Sequence, residues 1–142
     1  MQSPGVLRAA ALLLLASVLL GCAGTGTRTG RGPDGLLTWT SQNAACGVTD
    51  AYPAGTLEGS ADNPDRVWLL APGGRRVYLI WPHGFTVRFE PDAVLYSSSG
   101  VIVARAGDAI NINLEVPEQG GTPDDPMLVT WVNGTCYAPT PL

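Results

Sequence analysis

The one histidine of the chain, His83, is the first residue to consider for catalysis. It lies in a WPHG turn (residues 81–84), and histidine is the side chain that enzymes use most often as a general acid or base. A Ser-His-Asp relay would also need a serine within hydrogen-bond reach, and residues 97–99 (SSS) form the nearest cluster by type. Nothing in the spacing brings these serines to His83. We therefore predict that the protein is not an enzyme, with a hydrolase that uses His83 as the alternative.

Two groups of carboxylates have to be considered as metal sites. Asp124 and Asp125 are adjacent in a Pro/Gly-rich loop (residues 117–126), where neighbouring side chains point apart and remain solvated. Asp62 and Asp65, in the sequence DNPD, offer oxygen ligands of the calcium type. They lack the glycine and the bidentate glutamate of a recognised calcium loop, so an Asx turn is the default interpretation. We predict no metal and no cofactor.

The N-terminal segment is built like a signal peptide. Arg8 gives it a positive start, and residues 9–20 form an uncharged apolar stretch of twelve residues. This stretch is shorter than the roughly 20 residues that a transmembrane helix needs. The sequence LLGC that ends it at Cys22 resembles the lipobox of bacterial lipoproteins. The alternatives are a signal peptide without lipid and a short buried helix.

The lipobox resemblance implies what happens to Cys22. Residues 1–21 would be removed as signal peptide, the thiol would receive a diacylglycerol and the freed amine a further acyl chain such as palmitate. Two or three chains anchor a protein stably, whereas one chain is marginal. Residues 22–35 (CAGTGTRTGRGPDG) are rich in Gly and Thr without apolar periodicity, so we predict a lipidated, flexible tether.

The two remaining cysteines form an even pair. With Cys22 committed to lipid, Cys46 and Cys136 would meet an oxidising compartment, where a disulfide is the expected state. Two free thiols and a metal site are the alternatives. A metal site would need more ligands than the single His83 adds. We predict a Cys46–Cys136 disulfide.

Residues 36–142 have the pattern of an all-β domain. Alternation of apolar and polar residues is clearest at residues 85–90 (FTVRFE) and 110–116 (ININLEV). Turns are predicted at residues 71–74 (APGG) and 97–100 (SSSG), since Pro fixes φ and Gly accepts positive φ. Strands are predicted at residues 66–70, 75–81, 85–90, 94–96, 101–104, 110–116 and 127–132. Residues 77–81 are apolar on both faces and should form a central strand.

The middle of the chain adds a second resemblance. Residues 78–89 (YLIWPHGFTVRF), 93–96 (AVLY) and 100–110 (GVIVARAGDAI) resemble small secreted lipoproteins of uncharacterised function. The shared motifs are turns and strands, and the SSSG hairpin of this chain departs from the acidic turn of that pattern. The resemblance implies a five- to seven-stranded OB-like Greek-key barrel, with a β-sandwich as the alternative, and it implies no reaction.

Aromatic residues give the one indication of a binding surface. OB-like barrels often hold oligosaccharides or oligonucleotides on one curved face. Core packing is the ordinary explanation for tryptophans beside aliphatic residues in strands, and it is favoured here over a sugar- or peptide-binding face. The candidate surface residues are Trp68, Trp81, His83, Phe85 and Trp131.

Charge excludes one class of partner. From residue 36 onward there are five Arg and no Lys against eleven Asp and Glu, a formal net charge of −6. Such a domain has no electrostatic reason to bind nucleic acid. The sequence thus predicts a binding or structural module on the extracytoplasmic face of the cell membrane or outer membrane. Its partners would be the membrane, through lipid on Cys22, and an envelope glycan or a protein.

Overall fold

The computed structural model describes residues 26–41, 46, 52–112 and 120–137, and within them the fold is all-β. The predicted all-β class is therefore confirmed. None of the described residues is helical, and none belongs to an apolar helix of membrane-spanning length. The strands are β1 (Arg28–Arg31), β2 (Leu37–Thr40), β3 (Tyr52–Gly59), β4 (Val67–Leu70), β5 (Arg76–Val77), β6 (Leu79–Pro82), β7 (Thr86–Phe89), β8 (Ala93–Tyr96), β9 (Ile102–Arg105), β10 (Ala109–Ile112), β11 (Met127–Leu128), β12 (Trp131–Val132) and β13 (Thr135–Cys136).

These strands form three sheets. The first has the order β1-β2-β6-β11, the second β13-β12-β10-β3-β4-β5, and the third β7-β8-β9. Across the described ranges no sheet closes on itself, so the OB-like barrel remains a prediction, and open sheets are also consistent with the sandwich alternative. The described residues form thirteen strands rather than the five to seven predicted, because two predicted strands divide where the chain changes sheet and because β1, β2, β3 and β13 lie where no strand was predicted.

The predicted strand at residues 75–81 is one of those that divide. It breaks at Tyr78, whose N–H donates to the Gly121 carbonyl and whose carbonyl accepts from the Met127 N–H. Strand β5 pairs with β4, whereas β6 lies between β2 and β11 and runs parallel to both. All four residues of β6 are buried, which agrees with the predicted central strand that is apolar on both faces.

The predicted strand at residues 127–132 is also divided, so its single-strand assignment was wrong. Met127 and Leu128 pair with β6, and the Val129 N–H still donates to the Ile80 carbonyl. The chain then leaves that sheet, and β12 pairs with β10. Alternation of side chains does not distinguish one strand from two strands in different sheets.

The predicted turns at residues 71–74 and 97–100 are confirmed. In the first, the Ala71 N–H donates to the Arg75 carbonyl, and Gly73 and Gly74 have positive φ. In the second, the Ser97 N–H donates to the Val101 carbonyl, and the turn joins β8 to β9. Both hairpins place apolar residues in one core, which includes Leu57, Leu69, Val77, Trp81, Phe85, Leu95, Ile110 and Val132.

Strand β1 lies inside the segment that the sequence assigns to the tether. It pairs with β2 along its whole length, from Arg28 opposite Thr40 to Arg31 opposite Leu37. The loop after it is also fixed, because Asp34 accepts hydrogen bonds from the backbone N–H groups of Leu36 and Val87. Residues 28–35 are therefore part of the folded domain. The sequence did not indicate this strand, because its residues (RTGR) give no alternation of apolar and polar side chains.

The two predicted disulfide partners lie at disulfide distance. Cys46 and Cys136 are 90 residues apart in sequence, and their Cα atoms are 6.0 Å apart. The bond ties residue 46 to β13 at the edge of the second sheet. The signal segment, Cys22 and residues 113–119 lie outside the described residues, so the predicted signal peptide, lipid site and much of the loop at residues 117–126 are not part of this description.

Candidate functional site

The five aromatic and histidine residues predicted as a binding surface do not form one. Trp81 is fully buried, Phe85 is 2% exposed and Trp68 is 5% exposed. The rings of Trp81 and Phe85 stack with centroids 6.2 Å apart, because β6 and the residue that precedes β7 both face the core. Only His83 is exposed, and Trp131 is partly buried. For Trp68, Trp81 and Phe85 the core-packing alternative holds.

Trp68 is covered by its neighbours across the second sheet. Its indole N–H donates to Glu58 Oε2 at 3.1 Å, and the Arg76 guanidinium lies 4.4 Å from the ring centroid. Glu58 and Trp68 are directly opposite each other on β3 and β4. This contact satisfies the polar atom of the indole and leaves little of its face for a ligand.

His83 occupies an exposed turn between β6 and β7. Its backbone N–H donates to the Trp39 carbonyl at 2.9 Å, which ties the turn to β2. The next residue, Gly84, has φ of 86°, and a Cβ there would lie 2.7 Å from the Cβ of Ser98. The turn therefore packs directly on the serine hairpin.

The serine cluster is occupied within its own hairpin. Ser97 is buried, its hydroxyl lies 2.9 Å from that of Ser99, and it accepts a hydrogen bond from the Val101 N–H. These contacts hold the turn between β8 and β9. They account for Ser97 without any catalytic role.

His83 also borders a groove of about 310 Å³ beside strand β1. This groove, called the β1 groove below, is lined by Arg28, Thr29, Gly30, Arg31, Gly32, Pro33, Thr38, Trp39, Thr40 and His83. Among these lining residues there is no Ser, Asp or Glu. A Ser-His-Asp relay needs a serine and a carboxylate near the histidine, and the described lining has threonine hydroxyls but neither of these groups.

The β1 groove is held in shape by backbone and indole contacts. The Trp39 indole N–H donates to the Val129 carbonyl at 2.9 Å and is buried there. The Thr38 hydroxyl donates to the Gly30 carbonyl at 3.4 Å, which adds a side-chain contact to the β1–β2 pairing. Both walls are therefore fixed before any ligand arrives.

Two arginines, Arg28 and Arg31, line the β1 groove on a chain that carries a formal charge of −4 at pH 7. Arg31 Nη1 donates to the carbonyls of Gly35 and Pro64, and its Nη2 lies 3.9 Å from Asp65. These contacts engage much of the Arg31 guanidinium, and Asp65 offsets part of its charge. Arg28 lies on the fully exposed β1 strand and is therefore the exposed guanidinium of the groove.

A second cavity lies on the other side of Arg31. Its volume is about 420 Å³, and Asp62, Asn63 and Arg66 are among its lining residues. Arg66 donates to the carbonyls of Asp34 and Ala61, which fixes its guanidinium against backbone. The Asp65 N–H donates to Asn63 Oδ1 at 2.9 Å, the local contact of an Asx turn.

The carboxylates considered as metal ligands are not gathered. Asp125 donates its N–H to the carbonyl and hydroxyl of Thr122 in an exposed turn, and Asp124 is exposed beside it. In the described part of the chain, no three His, Cys, Asp or Glu residues are close enough together to hold a metal ion.

The sequence indicated His83 as a candidate surface residue but not the other residues that build the β1 groove. It placed Arg28 and Arg31 in a flexible tether and did not assign β2, although residues 37–40 (LTWT) alternate with the period of a strand. That short alternation was the available signal. No protein-family model, curated protein or solved structure matches this chain.

Proposed function

We propose that the chain is a lipid-anchored binding or structural module on the extracytoplasmic face of a bacterial membrane. The observation that carries this proposal is the pairing of two of its three cysteines. Cys46 and Cys136 lie at disulfide distance, and disulfides persist outside the reducing cytosol. Cys22 is then the one remaining thiol, and it directly follows the apolar N-terminal segment.

An anchor at Cys22 would hold the folded domain close to the bilayer. The first residue of β1, Arg28, comes six residues after Cys22 in the sequence. Six residues span at most about 20 Å when fully extended. The β1 groove, which Arg28 lines, would therefore work near the membrane surface rather than far from it.

Binding is favoured over hydrolysis by the surroundings of His83. The described lining of the β1 groove has two arginines and Trp39 besides His83, and it has no serine and no carboxylate to complete a Ser-His-Asp relay. Membrane lipid, an envelope glycan or a protein are the partners of the proposal, and nucleic acid is excluded from it by the acidic charge. Its fold is a small OB-like barrel, with the sandwich as the alternative.

Metabolic labelling with a palmitate analogue tests the proposed anchor. The native chain should carry the label and sediment with membranes, whereas Cys22→Ser should lose the label and leave the membrane fraction. Cys136→Ser is the matched control, since it also replaces a cysteine by serine but should keep the label. Equal labelling of the native chain and Cys22→Ser would contradict the proposal.

A further inference from the structure

We propose that the β1 groove binds the phosphate-bearing headgroup of an anionic membrane lipid. This inference deepens the proposed function and rests on it, because the lipid anchor at Cys22 is what would bring the groove to the bilayer. The groove would give the domain a defined contact with the membrane in addition to its tether.

The charge of the β1 groove complements an anion. The described lining contains Arg28 and Arg31 and no carboxylate, on a chain whose formal charge is −4, although Asp65 outside the lining lies 3.9 Å from Arg31 Nη2 and offsets part of its charge. Guanidinium groups bind phosphate through short, charge-assisted hydrogen bonds that are often bidentate. A cationic groove on an acidic chain attracts anions locally while the rest of the chain repels them.

The shape and polarity of the groove lining also fit a lipid headgroup. A volume of about 310 Å³ is at the small end of the range for ligand pockets, which suits a headgroup rather than a whole lipid. The buried indole of Trp39 and the ring of Pro33 give the groove apolar surface. A phospholipid headgroup likewise combines a charged phosphate, which the arginines would contact, with glycerol carbons, which the apolar surface would contact.

The β1 groove is also preorganised. Arg31 Nη1 donates to the carbonyls of Gly35 and Pro64 at 2.9 and 2.8 Å, which fixes this side chain but uses both N–H groups of that nitrogen, so a headgroup can bond only to the other donors of the guanidinium. The four residues of β1 are paired with β2, and the Trp39 indole is held by the Val129 carbonyl. Binding to a site fixed in this way loses less conformational entropy.

The position of Arg28 in the chain, close to Cys22, also favours a lipid headgroup as the ligand. Arg28 is six residues from Cys22, so an anchored chain cannot move this residue more than about 20 Å from the lipidated cysteine. Anionic headgroups would then be present at high local concentration beside the groove. Soluble glycans and proteins would not be concentrated beside the groove by the anchor, so we propose the lipid headgroup as its ligand.

The only histidine of the chain gives a direct test. The mature lipidated protein, without a histidine tag, is placed in discs of neutral phosphatidylcholine, and the His83 ring resonances are followed by NMR. Short-chain phosphatidylglycerol is then titrated, with short-chain phosphatidylcholine and inorganic phosphate as separate arms. We expect saturable shifts with phosphatidylglycerol and much weaker responses in the other two arms.

Two matched variants show whether binding depends on an arginine of the groove or on the overall charge of the protein. Arg28→Gln should weaken phosphatidylglycerol binding by roughly tenfold. Arg105→Gln removes the same charge from an exposed residue of β9 outside the groove and should leave binding unchanged. Equal weakening by both variants would mean diffuse attraction and would overturn the proposal.

The remaining outcomes are equally decisive. Unshifted His83 resonances would contradict the headgroup site, and an equal response to inorganic phosphate would contradict a lipid as its ligand. The intact mass of the same sample separates this failure from failure of the anchor. A lipid mass on Cys22 with an unresponsive His83 contradicts only the headgroup site, whereas absence of the lipid mass contradicts the anchor.

Discussion

Asp34 Oδ2 accepts a hydrogen bond of 2.6 Å from the backbone N–H of Val87, 53 residues further along the chain. The other carboxylate oxygen of Asp34 accepts from the Leu36 N–H. One side chain thus joins the loop after β1 to strand β7. This contact connects the first residues of the domain to the core, because Val87 is buried there.

Removing this carboxylate should loosen the β1 wall of the groove. Asp34→Ala leaves two backbone N–H groups without their acceptor, so we expect a loss of about 1–3 kcal/mol in the free energy of unfolding. Urea denaturation measures it. Asp124→Ala, at an exposed turn residue, is the control and should change stability by less than about 0.5 kcal/mol. Equal effects of the two variants would contradict the assigned role of Asp34.

Two tryptophans in neighbouring strands allow a matched comparison of indole hydrogen bonding. Trp39 Nε1 donates to the Val129 carbonyl, whereas Trp81 Nε1 is buried without an acceptor among the described residues. Trp39→Phe should therefore destabilise the protein by about 1–2 kcal/mol more than Trp81→Phe, although Trp81 is the more deeply buried. Thermal and urea unfolding of both variants check this order, and the reverse order would contradict it.

Two glycines with positive φ separate backbone strain from close packing at the His83 turn. Gly73 has φ of 93° and open space around it, whereas Gly84 has φ of 86° and lies against Ser98. Gly73→Ala should cost about 1–2 kcal/mol of stability from strain alone. Gly84→Ala should cost a further amount of about 1–3 kcal/mol. Equal costs in urea unfolding would mean that the Ser98 contact is not rigid.

The Cys46–Cys136 bond should contribute strongly to stability because it closes a long loop. For a sequence separation of 90 residues, the chain-entropy model gives about 4–5 kcal/mol. The double variant Cys46→Ser with Cys136→Ser should unfold at correspondingly lower urea concentration than the native chain. Intact mass should rise by about two daltons when the native bond is reduced, and an unchanged mass on reduction would show that the bond is absent.

The sequence indicated the all-β class because local patterns are sufficient for it. Alternation at residues 85–90 and the turns at residues 71–74 and 97–100 specify strands and hairpins by short-range physics, and the structure has them. Cysteine counting likewise indicated the disulfide pair. The strands and turns depend on residues that are neighbours in sequence, and the disulfide follows because two cysteines remain once Cys22 is assigned to lipid.

The features that sequence reasoning missed depend on contacts between distant residues. Tyr78 has no local signal for a change of sheet, since its partners are Gly121 and Met127. The burial of Trp81 and Phe85, in contrast, agrees with the core packing that the sequence favoured over a binding face. Strand β1 forms because β2 and Asp34 hold it, and its own four residues are all exposed.

Intact-mass spectrometry of the protein purified from its own membranes tests the central claim, lipid attachment at Cys22, most directly. We expect a chain that begins at Cys22, carries the added mass of a diacylglycerol and an acyl chain, and retains the disulfide between Cys46 and Cys136. A mature chain with an unmodified Cys22, or one whose N-terminus lies beyond it, would contradict lipid attachment at Cys22.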